Sequence, residues 1–163
     1  MVSKGECCMA YIKELRDRVG KMPLIMTCAS GALLDDHHRV LLQHRADTGD
    51  WGFPGGYMAY GETFRQTVVR EYKEDAGLLV KPTKLLAMQD DDKYTYPNGD
   101  PVQPINAFFL VELVSTHQFS TKPTETVEIK YFSINEHPAF FNKQHYKMWQ
   151  IIRNYVLNLA ISN

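Results

Sequence analysis

Cysteine is scarce in this chain, which has Cys7, Cys8 and Cys28 among its 163 residues. Two of the three are adjacent, and together they form neither a disulfide framework nor the spacing of a zinc site. Thiols that stay reduced are typical of cytoplasmic proteins. The cysteine content therefore excludes a disulfide-stabilised secreted domain and indicates a cytoplasmic protein.

Charge of one sign and long hydrophobic runs are also lacking. The 18 Lys and Arg residues nearly balance the 19 Asp and Glu residues, which gives a formal net charge of −1 at pH 7. A near-neutral chain lacks the electrostatic footprint of a nucleic-acid-binding protein and the polybasic patch of a membrane-surface protein. No apolar run approaches the ~20 residues that cross a bilayer, and the N-terminus lacks the apolar segment of a secretory signal. We therefore expect neither a membrane nor a nucleic-acid partner.

The composition is that of an ordinary globular domain. Hydrophobic residues make up 44% of the chain and charged residues 23%, and this length suits one domain with a substantial core. We predict a single domain over residues 1–163, in which residues 1–22 form an N-terminal helical extension. Apolar residues at three- and four-residue steps place the helix itself at 6–19, and Gly20 ends it. Packing on the sheet is the favoured role of this helix; a dimer contact and a lid over a substrate pocket are the alternatives.

Strand and helix patterns alternate along the rest of the chain. They place strands at 24–34, 39–44, 105–114 and 124–132, and helices at 63–76 and 143–160. This order predicts an α+β sandwich with helices on a mixed sheet. The polar residues 35–38 predict a hairpin turn between the first two strands, and the very apolar run 105–114 predicts the central strand.

The stretch from residue 52 to residue 80 carries the strongest functional signal. It opens with a glycine-rich turn, in which Gly55 and Gly56 let the backbone approach a metal ion or a phosphate with no Cβ in the way. Helical spacing follows over 63–76, and Gly77 ends the helix as a C′ glycine. The stretch therefore predicts a turn and a helix that together form a binding site.

Three acids cluster near the end of that helix. Glu71, Glu74 and Asp75 fall on one arc of about 100°. Carboxylates at this spacing repel one another and weaken a bare helix. A hard divalent cation would turn the repulsion into coordination, because Mg²⁺ prefers oxygen ligands. Taken alone, such a cluster is more often a solvated acidic face.

Fixed positions in the same stretch resemble the Nudix box. Gly56 is followed after five residues by Glu62, and after seven more by the run R-E-Y-K-E-D-A-G-L at residues 70–78. The family pattern has R-E, an aliphatic residue, any residue, E-E, any residue, G and an aliphatic residue at these positions. Asp75 replaces the last Glu and is one methylene shorter, so altered metal geometry is expected there. Tyr72 replaces an aliphatic residue and is interpreted as a packing variant.

The resemblance implies a fold and an activity. The fold is the Nudix α/β/α sandwich with a mixed sheet, and the activity is hydrolysis of a pyrophosphate bond in a nucleoside diphosphate derivative such as ADP-ribose or a nucleotide sugar. The implied cofactor is Mg²⁺ or Mn²⁺, held by Glu71, Glu74 and Asp75 with the carbonyl of Gly55. The implied partner is a small-molecule nucleotide, and homodimers are common in the family. A nucleotide-binding sensor without turnover is the alternative, and Asp75 is the residue that favours it.

The remaining catalytic candidates are a base and an arginine. Glu71 or a second acid would take a proton from the attacking water. Many Nudix proteins have such an acid before an aromatic strand, and here Glu128 is preferred over Glu125. Arg70 matches the arginine of the motif and is predicted to pair with Glu62 and orient the loop. Glu62 is thus assigned a structural role, together with Gly56 and Gly77.

Four residues outside the box are candidate substrate contacts. Arg45 could hold a phosphate through two hydrogen bonds or form a surface salt bridge. Tyr94 and Tyr96 could line a pocket for a base or sugar, or pack across a hairpin turned by Asn98 and Gly99. Trp51 belongs to the run W-G-x-P-G-G before the box, and it is included here although core packing is commoner for such a residue.

Overall fold

The computed structural model describes residues 4–115 and 125–161, with side chains from residue 11 onward. Within these residues the helices are α1 (Lys4–Val19), α2 (Phe64–Ala76) and α3 (Lys143–Ile161). The strands are β1 (Leu24–Leu33), β2 (Val40–Arg45), β3 (Trp51–Gly52), β4 (Gly55–Tyr57), β5 (Leu79–Gln89), β6 (Tyr94–Thr95), β7 (Pro101–Ser115) and β8 (Thr126–Phe132). None of the helices described has the length and hydropathy needed to cross a bilayer.

The larger sheet is mixed and has β7 at its centre. Its strand order is β4-β1-β7-β5, and β6 also pairs with β7. Strands β1 and β7 run parallel from the Leu24–Val102 pair to the Leu33–Val111 pair, whereas the other pairs are antiparallel. The predictions of a mixed sheet and of a central strand at 105–114 are confirmed. Asn98 and Gly99 lie in the tight turn between β6 and β7, as their sequence predicts.

The smaller sheet has the antiparallel order β3-β2-β8. The predicted hairpin between β1 and β2 is wrong, because these strands belong to different sheets and are joined by a single bridge between Leu34 and Val40. The connecting turn is compact. The Asp35 carboxylate accepts the N–H groups of His37 and Arg39, and His38 adopts a positive φ of 56°. The prediction of a turn at residues 35–38 is confirmed, but the chain enters the smaller sheet after this turn.

Two helices cover opposite faces of the larger sheet. Because side chains alternate along a strand, Ala29 and Leu33 of β1 pack with Val68 and Tyr72 of α2. Ala32 faces the other way and packs in the core that α3 covers, which is built from Phe53, Phe108, Met148, Trp149 and Ile152. This arrangement confirms the predicted α/β/α sandwich.

Local signals set the bounds of α2. Thr63 is the N-cap, and it forms a capping box with Gln66. At the other end Gly77 adopts φ 68°, a left-handed conformation that glycine reaches without steric penalty. Tyr72 is fully buried between these ends, and its hydroxyl donates a hydrogen bond of 2.9 Å to the Gly31 carbonyl. Tyr72 is therefore a packing variant that also ties α2 to β1.

Removing the Tyr72 hydroxyl should destabilise the fold. We expect Tyr72→Phe to lower the free energy of unfolding by about 1 kcal/mol, because a buried hydrogen bond is lost while the ring still fills its space. Urea unfolding measures the change, and Tyr60→Phe is the control because Tyr60 is 91% exposed. Equal stability of Tyr72→Phe and the unmodified chain would show that the bond to Gly31 contributes nothing.

Candidate active site

A cavity of about 370 Å³ opens between the larger sheet and the start of α3. Ligand pockets of this size hold a nucleotide-sized molecule. Its floor is one face of β1 and β7, and its walls come from the glycine turn, the β6–β7 turn and the residues just before α3. The floor is lined by Cys28, Ser30, Pro104 and Asn106, and the walls by Tyr94, Tyr96, Phe141, Gln144 and His145.

The box contributes the acidic end of this cavity. Glu71 and Glu74 of α2 line it together with Gly55 and Gly56 of β4, and Glu125 lies on the same cavity. A Cβ at Gly56 would come within 2.5 Å of Glu71 Oε1, so a side chain there would displace the Glu71 carboxylate. The glycine turn and the acids of α2 therefore meet at one place, as the spacing of the box predicts.

Arg70 connects the acids of the box. Its Nε and Nη2 donate to the Glu62 carboxylate at 2.9 and 3.0 Å, and Nη1 donates to Glu71 at 2.6 Å and to Glu74 at 3.2 Å. Nη2 also donates to the Tyr57 carbonyl at 2.9 Å. The predicted pair between Arg70 and Glu62 is thus present, and it ties the loop after β4 to the middle of α2.

Glu62 is buried and holds the loop from the other side. Its Oε2 accepts the N–H of Ala59 and the hydroxyl of Thr67, each at 3.0 Å. Burial favours the neutral acid, but the hydrogen bonds and charge of Arg70 outweigh it and hold the pKa of Glu62 below its usual value. The carboxylate is therefore charged at neutral pH and is part of the scaffold.

Glu71 and Asp75 are buried carboxyl groups at the acidic end. Burial raises the pKa of Glu71 to about 7, although the charge of Arg70 opposes this. Burial and the charges of Glu71 and Glu125 also raise the pKa of Asp75 well above its usual value. The N–H of Gly55 donates to Asp75 Oδ2 at 3.4 Å, which places Asp75 directly behind the glycine turn.

The donor set has the chemistry of a hard-cation site. Within residues 4–115 and 125–161, no three His, Cys, Asp or Glu side chains are close enough to enclose a metal ion. The Arg70 guanidinium bridges Glu71 and Glu74, and the Glu74 side chain is 39% exposed and has room to turn. Carboxylate oxygens and a backbone carbonyl are what Mg²⁺ prefers. Glu71, Glu74 and Gly55 line the same cavity and can supply such oxygens, so the chemistry of these donors fits a divalent cation.

Arg45 and two tyrosines also line the cavity. Arg45 donates to both oxygens of Asp47, at 2.9 and 2.6 Å, and its guanidinium lies 4.3 Å from the centre of the Phe141 ring. Tyr94 meets Tyr96 edge to face at 4.9 Å. Of the two roles considered for Arg45, the salt bridge is formed, and the residue also lines the cavity.

Comparison with known proteins places the chain in a family. A family model described as the NUDIX domain matches residues 26–155. This chain belongs to the Nudix family. The match covers the glycine turn, α2, both sheets and most of α3, so the resemblance seen in the box extends over the fold.

Individual Nudix relatives match over part of their length. The ADP-ribose pyrophosphatase of Methanocaldococcus jannaschii is 28% identical over 114 residues, which cover 68% of this chain and 63% of that protein. The RNA pyrophosphohydrolase of Acinetobacter baylyi is 32% identical over 77 residues, which cover 43% of this chain and 46% of that protein. The chain thus spans less than two thirds of the length of either relative.

A solved Nudix structure confirms the fold. The crystal structure of an ADP-ribose pyrophosphatase from Streptococcus suis 89-1591 superposes with a TM-score of 0.63 at 21% identity. The alignment covers 80% of this chain and 91% of that chain. At this identity the likeness concerns the fold, and it agrees with the predicted Nudix sandwich.

Two residues carried over from the Nudix resemblance lie away from the cavity. Trp51 is paired with His44, stacks on its ring at 4.8 Å and packs in the core under α3, so it does not contact the site. Glu128 is exposed on β8, whereas Glu125 lines the cavity. The structure thus places Glu125, and not the preferred Glu128, on the cavity, because the chain reaches the cavity just before β8 begins.

Several cavity residues of this Nudix domain were missed in the sequence. Asn106 is a polar residue inside the most apolar strand, and that contrast could have identified it. Gln144 and His145 lie in the first turn of α3, and the apolar pattern that predicts this helix does not include them. Ile12 of α1 also lines the cavity, which fits the lid alternative for that helix as well as simple packing.

Loss of the Glu62 charge should destabilise this Nudix domain in a pH-dependent way. The pKa of Glu62 is lower in the folded state than in the unfolded state, so its stabilisation is complete above the unfolded value and is lost as pH falls through the folded one. We expect Glu62→Gln to lower the free energy of unfolding by about 3 kcal/mol at pH 7, as for a broken buried ion pair.

Urea unfolding at pH 7, 5 and 4 measures this difference, which should shrink toward acid pH. Glu14→Gln is the control, because Glu14 forms an exposed pair with Arg18. A difference that stays constant over this range would mean that Glu62 does not act through its charge.

Proposed function

We propose that this Nudix domain hydrolyses the pyrophosphate bond of a nucleoside diphosphate derivative in a reaction that depends on Mg²⁺ or Mn²⁺. The observation that supports this most directly is the convergence of Glu71, Glu74, Glu125 and Gly55 at one end of a nucleotide-sized cavity. ADP-ribose is the first substrate to test, because the relative from Methanocaldococcus jannaschii is named for it.

The metal would be held by the acids of the box. Its ligands would be the carboxylates of Glu71 and Glu74, the Gly55 carbonyl and Asp75, directly or through water. When bound, Mg²⁺ or Mn²⁺ supplies charge neutralisation for the pyrophosphate and a water of lowered pKa. Arg70 keeps Glu71 and Glu74 in place through one hydrogen bond to each carboxylate. Asp75 positions the glycine turn through the N–H of Gly55.

Substrate binding would use Arg45 and the tyrosines of the cavity. The Arg45 guanidinium donates two parallel hydrogen bonds to the Asp47 carboxylate. The same two donors could bind two oxygens of a phosphate in place of Asp47. Tyr94 and Tyr96 give an aromatic surface on which a base can stack. Glu125 lies on the cavity as an exposed carboxylate and can accept the proton that water loses on attack. The site therefore has a group for each part of the reaction.

Turnover should require a divalent cation and Glu74. We expect hydrolysis of ADP-ribose or UDP-glucose in Mg²⁺ or Mn²⁺, none in EDTA, and a loss of ~10²-fold or more in kcat for Glu74→Gln, because a major electrostatic stabiliser is removed. Release of nucleoside monophosphate measures the rate. Glu112→Gln on the exposed side of β7 is the matched control.

Three outcomes separate the two functions considered for this chain. Hydrolysis that persists in EDTA would contradict the metal mechanism. An unchanged kcat for Glu74→Gln would place the metal elsewhere. Tight binding of the nucleotide without turnover in any metal would favour the sensor function, for which the replacement of Glu by Asp75 is the sequence feature.

Glu125 and Glu128 provide a second, paired test. Both acids are exposed at one end of β8, but Glu125 lines the cavity and Glu128 lies three residues further along the chain. We expect Glu125→Gln to lower kcat by about 10²-fold with little effect on KM, as for loss of a general base. Glu128→Gln should leave both constants unchanged. The reverse result in steady-state assays would restore Glu128 as the second acid.

A further inference from the structure

His145 is held firmly at the wall of the cavity. It lies in the first turn of α3, where its backbone N–H donates to Asn142 Oδ1 at 2.8 Å. Its ring packs against Phe141 with centroids 4.4 Å apart. Gly52 leaves room for this, because a Cβ there would lie 2.9 Å from Phe141 and 3.2 Å from His145 Nδ1. The ring is therefore fixed on three sides.

A backbone group determines which ring nitrogen of His145 carries the proton. The N–H of Phe53 donates to Nδ1 at 3.0 Å. A backbone N–H can only donate, so Nδ1 must be the acceptor and the proton of the neutral ring must be on Nε2. A second proton would direct two N–H groups at each other, and burial together with the charge of Arg45 also lowers the pKa of His145 well below its usual value. His145 thus presents one neutral donor of fixed position.

That donor is available to a ligand. His145 lines the cavity, and Nε2 has no hydrogen-bond partner in the part of the chain that the structure describes. His145 is 7% exposed and Nε2 is not one of the fully buried atoms without a partner, so an acceptor atom brought by a ligand can reach this donor. A ligand without such an acceptor would leave the donor unpaired, which is how buried polar groups discriminate between ligands.

The neighbouring residue fixes the polarity of an amide on the cavity floor. Gln144 Nε2 donates to the carbonyls of Pro104 at 3.0 Å and Gln89 at 3.4 Å, and carbonyls can only accept. Gln144 Oε1 therefore accepts from Asn106 Nδ2 at 3.4 Å, and Nδ2 also donates to Ser30 Oγ at 3.0 Å. Asn106 Oδ1 is then left as a buried acceptor without a partner among the described residues.

We propose that His145 determines specificity by donating its Nε2 hydrogen to an acceptor atom on the base of the bound nucleotide, above a cavity floor in which the amide of Asn106 is held by Ser30 and Gln144. This inference rests on the proposed function. A nucleobase carries neutral acceptors in the plane of its ring, which suit a neutral donor of fixed position. A phosphate would instead favour the charged Arg45. The rings of Tyr94, Tyr96 and Phe141 on the same cavity provide a stacking surface.

Two substitutions separate the donor from the structural role of His145. His145→Asn can place an amide oxygen near the Nδ1 position, where it accepts from Phe53, but it removes the donor at Nε2. His145→Gln can place an N–H near the Nε2 position. We expect His145→Asn to weaken ADP-ribose binding about tenfold and His145→Gln to recover part of that loss. Calorimetry without metal measures binding independently of turnover, and thermal unfolding confirms that both variants are folded.

Analogues of the ligand identify the atom involved. ADP-ribose with 1-deaza-, 3-deaza- or 7-deazaadenine lacks one ring acceptor each. One of these analogues should bind the unmodified chain about tenfold more weakly than ADP-ribose does. The same analogue and ADP-ribose should bind His145→Asn equally well, because the substitution has already removed the hydrogen bond that the analogue cannot form. KM should rise in His145→Asn with kcat unchanged, because the base does not react.

The alternative outcomes overturn the inference at different points. Equal binding of ADP-ribose by His145→Asn and the unmodified chain would show that Nε2 contacts no ligand, while the proposed function would stand. Coupling of His145→Asn to a 2′-deoxyribose analogue, with none to the deaza analogues, would assign the donor to the sugar and overturn the base assignment. A chain that neither binds nor hydrolyses ADP-ribose or UDP-glucose would overturn the proposed function and this inference with it.

Discussion

The buried guanidinium of Arg70 is the interaction on which the acidic end of the cavity depends. One positive charge holds three carboxylates, those of Glu62, Glu71 and Glu74, and the carbonyl of Tyr57. A planar fork of donors can satisfy this many acceptors in fixed directions, whereas the point charge of a lysine cannot. Three acids around one cation still leave an excess of negative charge. The same contact therefore builds the scaffold and leaves acidic groups on the cavity, as the proposed metal site requires.

Features set by residues close in sequence were predictable. The bounds of α2 follow from Thr63, Gln66 and Gly77, which lie within a few residues of the helix ends that they cap. The pair of Arg70 and Glu62 spans eight residues and was also expected. The family resemblance added the layer order of the fold, and it added the acids of the cavity because these belong to one contiguous box. In this part of the molecule, sequence spacing translates directly into geometry.

Features set by distant parts of the chain were not predictable from spacing. The turn after β1 was recognised, but whether β2 pairs back or joins another sheet depends on β8, some ninety residues later. Trp51 has the same apolar and aromatic character whether it packs in a core or stacks on a base. In the structure it stacks on His44 and packs in the core under α3. His145 gains its role from Phe53, which is 92 residues away in the chain. Sequence supplied the chemical character of these residues, and tertiary contacts supplied their environment.

The parallel pairing of β1 with β7 has a consequence for how the protein is made. Ser30 and Asn106, which share a hydrogen bond on the cavity floor, are 76 residues apart in the chain. Closing so long a loop is entropically unfavourable and makes such contacts form late in folding. The caps of the box helix, by contrast, are local in the chain. A chain emerging from the ribosome therefore carries the signals that bound this helix well before β7 exists, but it acquires both the β7 side chains against which the helix packs and the binding cavity only when β7 inserts beside β1.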